Sequence, residues 1–405
     1  MLQKKFVFVF LIFFMSAFFF TNHSFSSDEK SYVFKSQKHL VQKTEHLNVA
    51  KTDYVSLLGE KLKEFKSKIN RKAKINDFHG VVLVAYKNQI IFNKAFGYKN
   101  PIDKTELSIH DAFELASVSK QFTAASILKL VELGKIDLEK PFKTYFPNFK
   151  FENIRVKDLL KHSSGLWDYM NLTEAYWNKS KAPDNFEIIE LLNNHQTTLN
   201  FKPGRKFDYN NTNYVLLVTL IEKISGKSFK DFLKDQFFQP LGLNDIYVGI
   251  NSRAKIKVAN AYQAYGRGYI KLPPSYHNSA LGDKGIHTTA SDLWLWFNAL
   301  KNRKSISQAS INKMFNLNNY TNYNYGMGFR TQVGRFGELE IYHDGLWDGF
   351  RNGLHYFPKD DLTYIVLSHT QNREKVYFQN YLERHAKVLL NQLNKKDFNN
   401  SVSNL

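Results

Sequence analysis

Ser117 and Lys120 stand three positions apart at the head of an apolar-periodic segment, a spacing that puts a hydroxyl and an amine on one helix face. A serine hydroxyl is a poor nucleophile unless a base within about 3 Å takes its proton. Lysine serves as that base where burial or positive neighbours lower its pKa. Phe122, Ala125, Leu128 and Leu133 predict a helix over 121–133 ending at Gly134. A helix start also supplies unpaired backbone N–H groups, which suit one half of an oxyanion hole. The spacing alone is weak, because Ser27, Ser126, Ser252 and Ser310 also precede a lysine by three positions. Ser117 differs in opening a helix after a strand hairpin; the alternative is an ordinary Ser and Lys on a helix.

Two stretches downstream add chemistry to this pair. Tyr209-Asn210-Asn211 follows the turn signal Lys202-Pro203-Gly204, which puts it on a loop. A phenol near an ammonium can be held partly ionised and act as base toward the serine. The Asn211 amide would orient both Lys120 and a substrate carbonyl. His343-Asp344-Gly345 ends an expected edge strand and is followed by Leu346, whose N–H would complete the oxyanion hole while His343 faces the substrate. Taken singly, the two stretches also read as an ordinary turn and as a strand-to-turn junction with glycine for geometry.

The elements that must position these residues are legible at both ends of the sequence. Val81 to Tyr86 and Gln89 to Phe92, separated by Lys87-Asn88, form a β-hairpin pattern, and Leu57, Leu58, Leu62 and Phe65 suggest a helix before it. Strands are expected over 338–343, 353–357 and 362–368, and a closing helix over 374–393. The middle, from Ser117 to about Lys313, reads as helices and loops. The expected fold is therefore α+β: a central antiparallel sheet formed from both chain ends, flanked by helices, with a mainly helical region inserted. Trp294, Trp296 and Phe297 are read as core, on a helix capped by Ser291 or Asp292, and Trp347 as a wall of the substrate cleft.

Residues 1–27, with Lys4, Lys5 and the apolar run Phe6 to Phe20, follow a signal-peptide pattern, the run being shorter than the roughly 20 residues of a spanning helix. An exported, periplasmic or secreted protein is expected, touching a membrane only through that segment if it stays uncleaved. Residues 28–55 read as a polar linker, 56–395 as the folded domain and 396–405 as a tail. With no cysteine, the chain forms no disulfide, lipidated-cysteine anchor, thiol nucleophile or cysteine zinc site. The formal charge of +19 favours anionic partners such as cell-wall polymers or lipid headgroups, or else marks a solvated lysine-rich surface. Basic motifs interleaved with aromatics are missing, which argues against nucleic acid. No metal or cofactor is expected, since His162, His287 and His355 are scattered and no His-Glu-x-x-His occurs; no Gly-x-Ser-x-Gly elbow occurs either.

In order, Ser117-Val118-Ser119-Lys120, Tyr209-Asn210-Asn211 and His343-Asp344-Gly345 resemble the three motifs of serine β-lactamases and penicillin-binding proteins. The Tyr-x-Asn form resembles class C β-lactamases and their esterase and D-peptidase relatives. Phe78 to Tyr98, Val156 to Leu166, Pro240-Leu241-Gly242-Leu243 and Tyr325-Gly326-Met327-Gly328-Phe329 resemble further family stretches, so the likeness runs from about residue 57 to 394. The resemblance implies that Ser117 is acylated and that Lys120 and Tyr209 shuttle its proton. It also implies that Asn211 positions the acyl group and that the N–H groups of Ser117 and Leu346 hold the oxyanion. One departure matters: where true β-lactamases begin the third motif Lys-Thr-Gly, this chain has His343 and Asp344, a poorer site for an antibiotic carboxylate. A serine hydrolase acting on a small ester, amide or D-residue peptide is thus expected ahead of a class C-like β-lactamase or DD-carboxypeptidase. A non-catalytic binder of cell-wall peptides is the reading from another class.

Overall fold

Gly80–Tyr86 (β1) and Gln89–Phe96 (β2) are joined by Lys87 and Asn88, whose φ values of 45° and 62° suit the two-residue turn that follows strand twist. In the computed structural model described here, which covers residues 59–249, 258–266, 268–316, 324–333, 337–371 and 378–389, this hairpin is one edge of the main sheet. The other strands are Asn324–Tyr325 (β3), Arg330–Val333 (β4), Leu339–Trp347 (β5), Phe350–Phe357 (β6) and Leu362–Ser368 (β7). Their order is β3-β4-β5-β6-β7-β1-β2, antiparallel throughout. The seam between the two chain ends is the β1–β7 ladder, running from Gly80 opposite Ser368 to Tyr86 opposite Leu362. The expected α+β architecture is therefore the observed one.

The chain divides by internal contacts into residues 1–63, of which only 59–63 are described, and residues 64–405. The expected signal segment, the linker and the C-terminal tail lie outside the described residues. Helix is observed over 59–75 and 378–389, so the outer turns of the closing helix expected over 374–393 also fall outside them. Among the described residues no helix is long and apolar enough to cross a membrane.

Alternation along β1 decides which layer packs where. Val81, Leu83 and Ala85 join the large apolar core shared with the helical insert. On the opposite face, Phe92 meets Phe65 at 5.7 Å between ring centroids, and Phe96 meets Phe378 at 6.4 Å. Within the insert, four helices position the site: Lys120–Glu132 (α1), Tyr169–Tyr176 (α2), Thr212–Ser225 (α3) and Ala290–Lys301 (α4). Helix α1 is buried on nearly every side, as expected for a helix in the centre of a layered core. Phe122 of α1 stacks on Trp296 of α4 with centroids 4.3 Å apart, and the Trp296 indole N–H donates to Gln121 Oε1 at 2.9 Å. Trp294, Trp296 and Phe297 are core residues, as read. The cap of α4 is Thr289, which accepts the Asp292 N–H at 3.2 Å, rather than Ser291 or Asp292. Asp292 instead accepts the Asp245 N–H, tying a neighbouring loop to the same helix end.

Candidate active site

Ser117 lies in a 3-10 turn, Ala116–Ser119, that runs directly into α1 at Lys120. Ala116 is held at φ 52°, a left-handed conformation that costs energy in a residue with a Cβ. The chain thus makes a strained bend immediately before Ser117, where sequence reasoning expected a plain helix start. Lys120 is completely buried, and its Nζ contacts three acceptors: Ser117 Oγ at 3.0 Å, Asn211 Oδ1 at 2.9 Å and the Asp283 carbonyl at 3.0 Å. An ammonium has three N–H donors, so this set fixes its position and aims one donor at the serine.

Tyr209-Asn210-Asn211 occupies the loop into α3, as read. Asn211 is the N-cap residue of α3, yet its side chain makes no capping bond and turns to Lys120. The Asn210 side chain supplies that need instead, accepting the Thr212 N–H at 2.9 Å and donating to the Leu166 carbonyl at 2.5 Å. Asp168 accepts the Asn211 N–H at 3.3 Å; burial raises its carboxyl pKa, and the Met170 and Asn211 N–H groups oppose that shift. The Tyr209 ring has Lys120 Nζ 4.9 Å from its centroid and the Arg330 guanidinium at 4.8 Å. Its hydroxyl is buried with no hydrogen-bond partner among the described residues, a costly state for a phenol that has no exchange to make.

His162 stands behind this ring at 4.2 Å between centroids and accepts the Asn210 N–H at Nδ1, 3.1 Å away. Sequence reasoning set it aside among scattered histidines, and only its place in the Val156 to Leu166 stretch pointed to it. Burial, then the Lys120, His343 and Arg330 charges, hold its pKa well below the usual imidazole value.

The third stretch does not end its strand. Strand β5 continues through Trp347 because β6 pairs with it all the way, placing His343 opposite Leu354 and Gly345 opposite Asn352. Its other neighbour, β4, stops at the Arg330–Tyr342 pair, so residues 343–347 have a strand on one side only. Gly345 meets the nucleophile turn there: a Cβ would lie 2.2 Å from the Leu115 carbonyl oxygen. That close approach, and not a turn, is what requires glycine. Leu346 is exposed, on the stretch of β5 that β4 leaves uncovered. His343 differs from the expected substrate-facing ring. It is buried, with Nε2 3.2 Å from the Tyr325 hydroxyl and Nδ1 2.7 Å from the Asp344 carbonyl. Burial, with the Lys120 and Arg330 charges, pushes its pKa down to about 3. Trp347, half-buried on the His343 face of the strand, donates from its indole N–H to Asn278 at 2.6 Å, and the buried Lys284 ammonium lies 4.7 Å from its ring centroid.

The structure therefore gathers Ser117, Lys120, Tyr209 and Asn211 around one point, with β5 laid against the serine turn. A hydroxyl, an amine at hydrogen-bond distance, a phenol ring and an amide thus share one site. A family model described as Beta-lactamase matches residues 65–387, and the chain belongs to that family. Its fold is that of the serine β-lactamase-fold hydrolases. Penicillin-binding protein 4* of Bacillus subtilis (strain 168) is 33% identical over 334 residues, 78% of this chain and 73% of that protein. A penicillin-binding protein structure from Bacillus halodurans superposes with a TM-score of 0.69 at 22% identity, over 78% of this chain and 98% of that one. D-amino acid amidase from Ochrobactrum anthropi SV3 gives 0.66 at 19%, over 82% and 99%.

Proposed function

We propose that the protein is a serine hydrolase that forms an acyl-enzyme on Ser117 and cleaves a small ester, amide or D-residue peptide. The observation that carries this reading is the 3.0 Å contact between Lys120 Nζ and Ser117 Oγ, beside Asn211 and a Tyr209 hydroxyl that has no hydrogen-bond partner among the described residues. The Lys120–Tyr209 pair, holding one proton fewer than an ammonium and a phenol together would, takes the hydroxyl proton as Oγ attacks the carbonyl carbon. The carbonyl oxygen gains the negative charge and rests on the N–H groups of Ser117 and Leu346. Collapse breaks the bond to the leaving group, which departs with the proton held by the Lys120–Tyr209 pair. Water then repeats the sequence on the acyl-enzyme, and Ser117 recovers its hydrogen. Similarity to a penicillin-binding protein and to a D-amino acid amidase supports an amide or peptide substrate.

Poor antibiotic hydrolysis follows from the third stretch. A neutral, engaged His343 offers no cation to a carboxylate. The signal-peptide pattern of residues 1–27 supports export, with the substrate met outside the cytoplasm. An active-site serine probe should label the purified protein and fail to label Ser117→Ala. Short-chain aryl esters should be cleaved faster than a chromogenic cephalosporin. Labelling that persists in the variant would overturn the nucleophile assignment, and the reverse substrate ranking would overturn the argument from His343.

A further inference from the structure

We infer that Glu114 is a positioning residue for the nucleophile: its buried carboxylate holds the strained Ala116 bend and ties it to the backbone that orients Lys120. The inference rests on the hydrolase reading and deepens it by naming what keeps Ser117 in register with its base.

The bend needs a holder. Ala116 sits at φ 52°, and the residue after it is the nucleophile, so relaxation there would swing Ser117 Oγ away from Lys120 Nζ. On one side the bend is blocked by β5, whose Gly345 lies so near that a Cβ would be 3.1 Å from Ala116 Cβ. On the other side stands Glu114. Its Oε1 accepts the Ala116 N–H at 3.2 Å and the Gly285 N–H at 2.8 Å, and its Oε2 lies 2.7 Å from His287 Nε2. Glu114 and His287 are both buried, where an acceptor bonded to backbone N–H groups counts for more than it would in water.

Both ends of this clamp reach catalytic side chains. Gly285 is two residues from Asp283, whose carbonyl accepts from Lys120 Nζ at 3.0 Å. The next residue, Ile286, is tied to the backbone around Ser117 again, by Leu115 N–H to the Ile286 carbonyl at 2.8 Å and Ile286 N–H to Ser119 Oγ at 3.2 Å. The Glu114 carbonyl itself accepts from Asn352 Nδ2 at 2.7 Å, which fastens the same residue to β6. One carboxylate thus spans the backbone before the nucleophile and the backbone behind the base. Its pairing partner His287 comes from the strand Ile286–Thr288, opposite Glu114 in the small sheet that also contains Ile246–Val248.

The test measures acylation of the full-length protein by a serine-directed probe and steady-state ester hydrolysis. Glu114→Ala should acylate at least about tenfold more slowly and lower kcat more than it raises KM, with an unchanged circular dichroism spectrum. Adding Ala116→Gly should restore most of the lost rate, since glycine adopts the bend without strain and no longer needs holding. A merely structural role predicts no such rescue. Wild-type acylation in Glu114→Ala overturns the inference, as does a slow variant that Ala116→Gly leaves slow. If Glu114→Ala does not fold, Glu114→Gln takes its place: a slowed rate recovered by Ala116→Gly supports the inference, and either of the other two results overturns it. Absence of labelling in the wild type would instead sink the hydrolase reading, which separates the two failures.

Discussion

The buried His355 makes stability depend on alkaline pH, with a size that can be worked out. Its ring lies between Glu340, whose Oε1 is 2.7 Å from Nδ1, and Asp344, whose Oδ1 is 3.4 Å from Nε2. Tyr342 and Tyr364 stack against it at 5.3 and 4.5 Å. Burial alone would lower the imidazole pKa, but the Asp344 and Glu340 hydrogen bonds and charges outweigh it and raise the pKa to about 9. An unfolded histidine titrates near 6.5, so the folded state binds this proton more tightly. The stabilisation is therefore complete below pH 6.5, declines between 6.5 and 9, and is gone above 9. At about 1.4 kcal/mol per unit the shift is worth about 3 kcal/mol, an upper bound because Asp344 is exposed to water. Tyr364 does not interfere, since burial raises its own pKa well above the usual phenol value. Urea denaturation of wild type and His355→Gln at about pH 6 and about pH 10 isolates the effect. The stability advantage of the wild type should shrink by up to about 3 kcal/mol on going alkaline. Parallel pH dependences of the two proteins would show that His355 is neutral in the native state.

Lys120→Ala and Tyr209→Phe should each slow acylation by at least about 10²-fold in a stopped-flow probe assay, the usual loss with a proton-transfer group. Near-wild-type rates in both would mean the proton takes another route. Gly345→Ala forces a Cβ to within 2.2 Å of the Leu115 carbonyl oxygen, so β5 or the serine turn must shift. That overpacking should cost about 1–3 kcal/mol in thermal or urea denaturation and slow acylation at least about tenfold; unaltered kinetics would place the oxyanion elsewhere. Because His343 stays neutral down to about pH 3, it should contribute no acidic limb near 6.5 to the kcat/KM profile. A limb there that vanishes in His343→Gln would contradict the buried, neutral ring.

The parts of the site read from sequence are those fixed by local geometry. Ser117 and Lys120 meet because three residues make about one turn, and Tyr209 and Asn211 were recognisable beside a turn signal. The sheet was legible because Val81 to Tyr86 and Leu362 to Ser368 carry strand composition at opposite chain ends. What escaped depends on approach in space. The bend at Ala116 has no glycine to announce it, since the folded-back Glu114 side chain and the distant β5 hold it in place. Gly345 looked like a strand terminator and is instead a point where two backbones nearly touch. The third acceptor of Lys120 is the Asp283 carbonyl, a group every residue possesses. His162 and His343 were seen as residues, but their partners, an N–H of Asn210 and the Tyr325 hydroxyl, come from segments no local pattern connects.

The ladder joining Gly80–Tyr86 to Leu362–Ser368 also governs when this protein can exist at all. A chain emerging from its N-terminus exposes one half of a seam whose other half follows only after the whole helical insert. Until then the hairpin β1–β2 carries an unsatisfied edge, and loop-closure entropy opposes its completion across the whole helical insert. Slow folding is therefore inherent in the topology, and truncation before Ser368 should leave no smaller, partly active enzyme but an incomplete sheet open to aggregation.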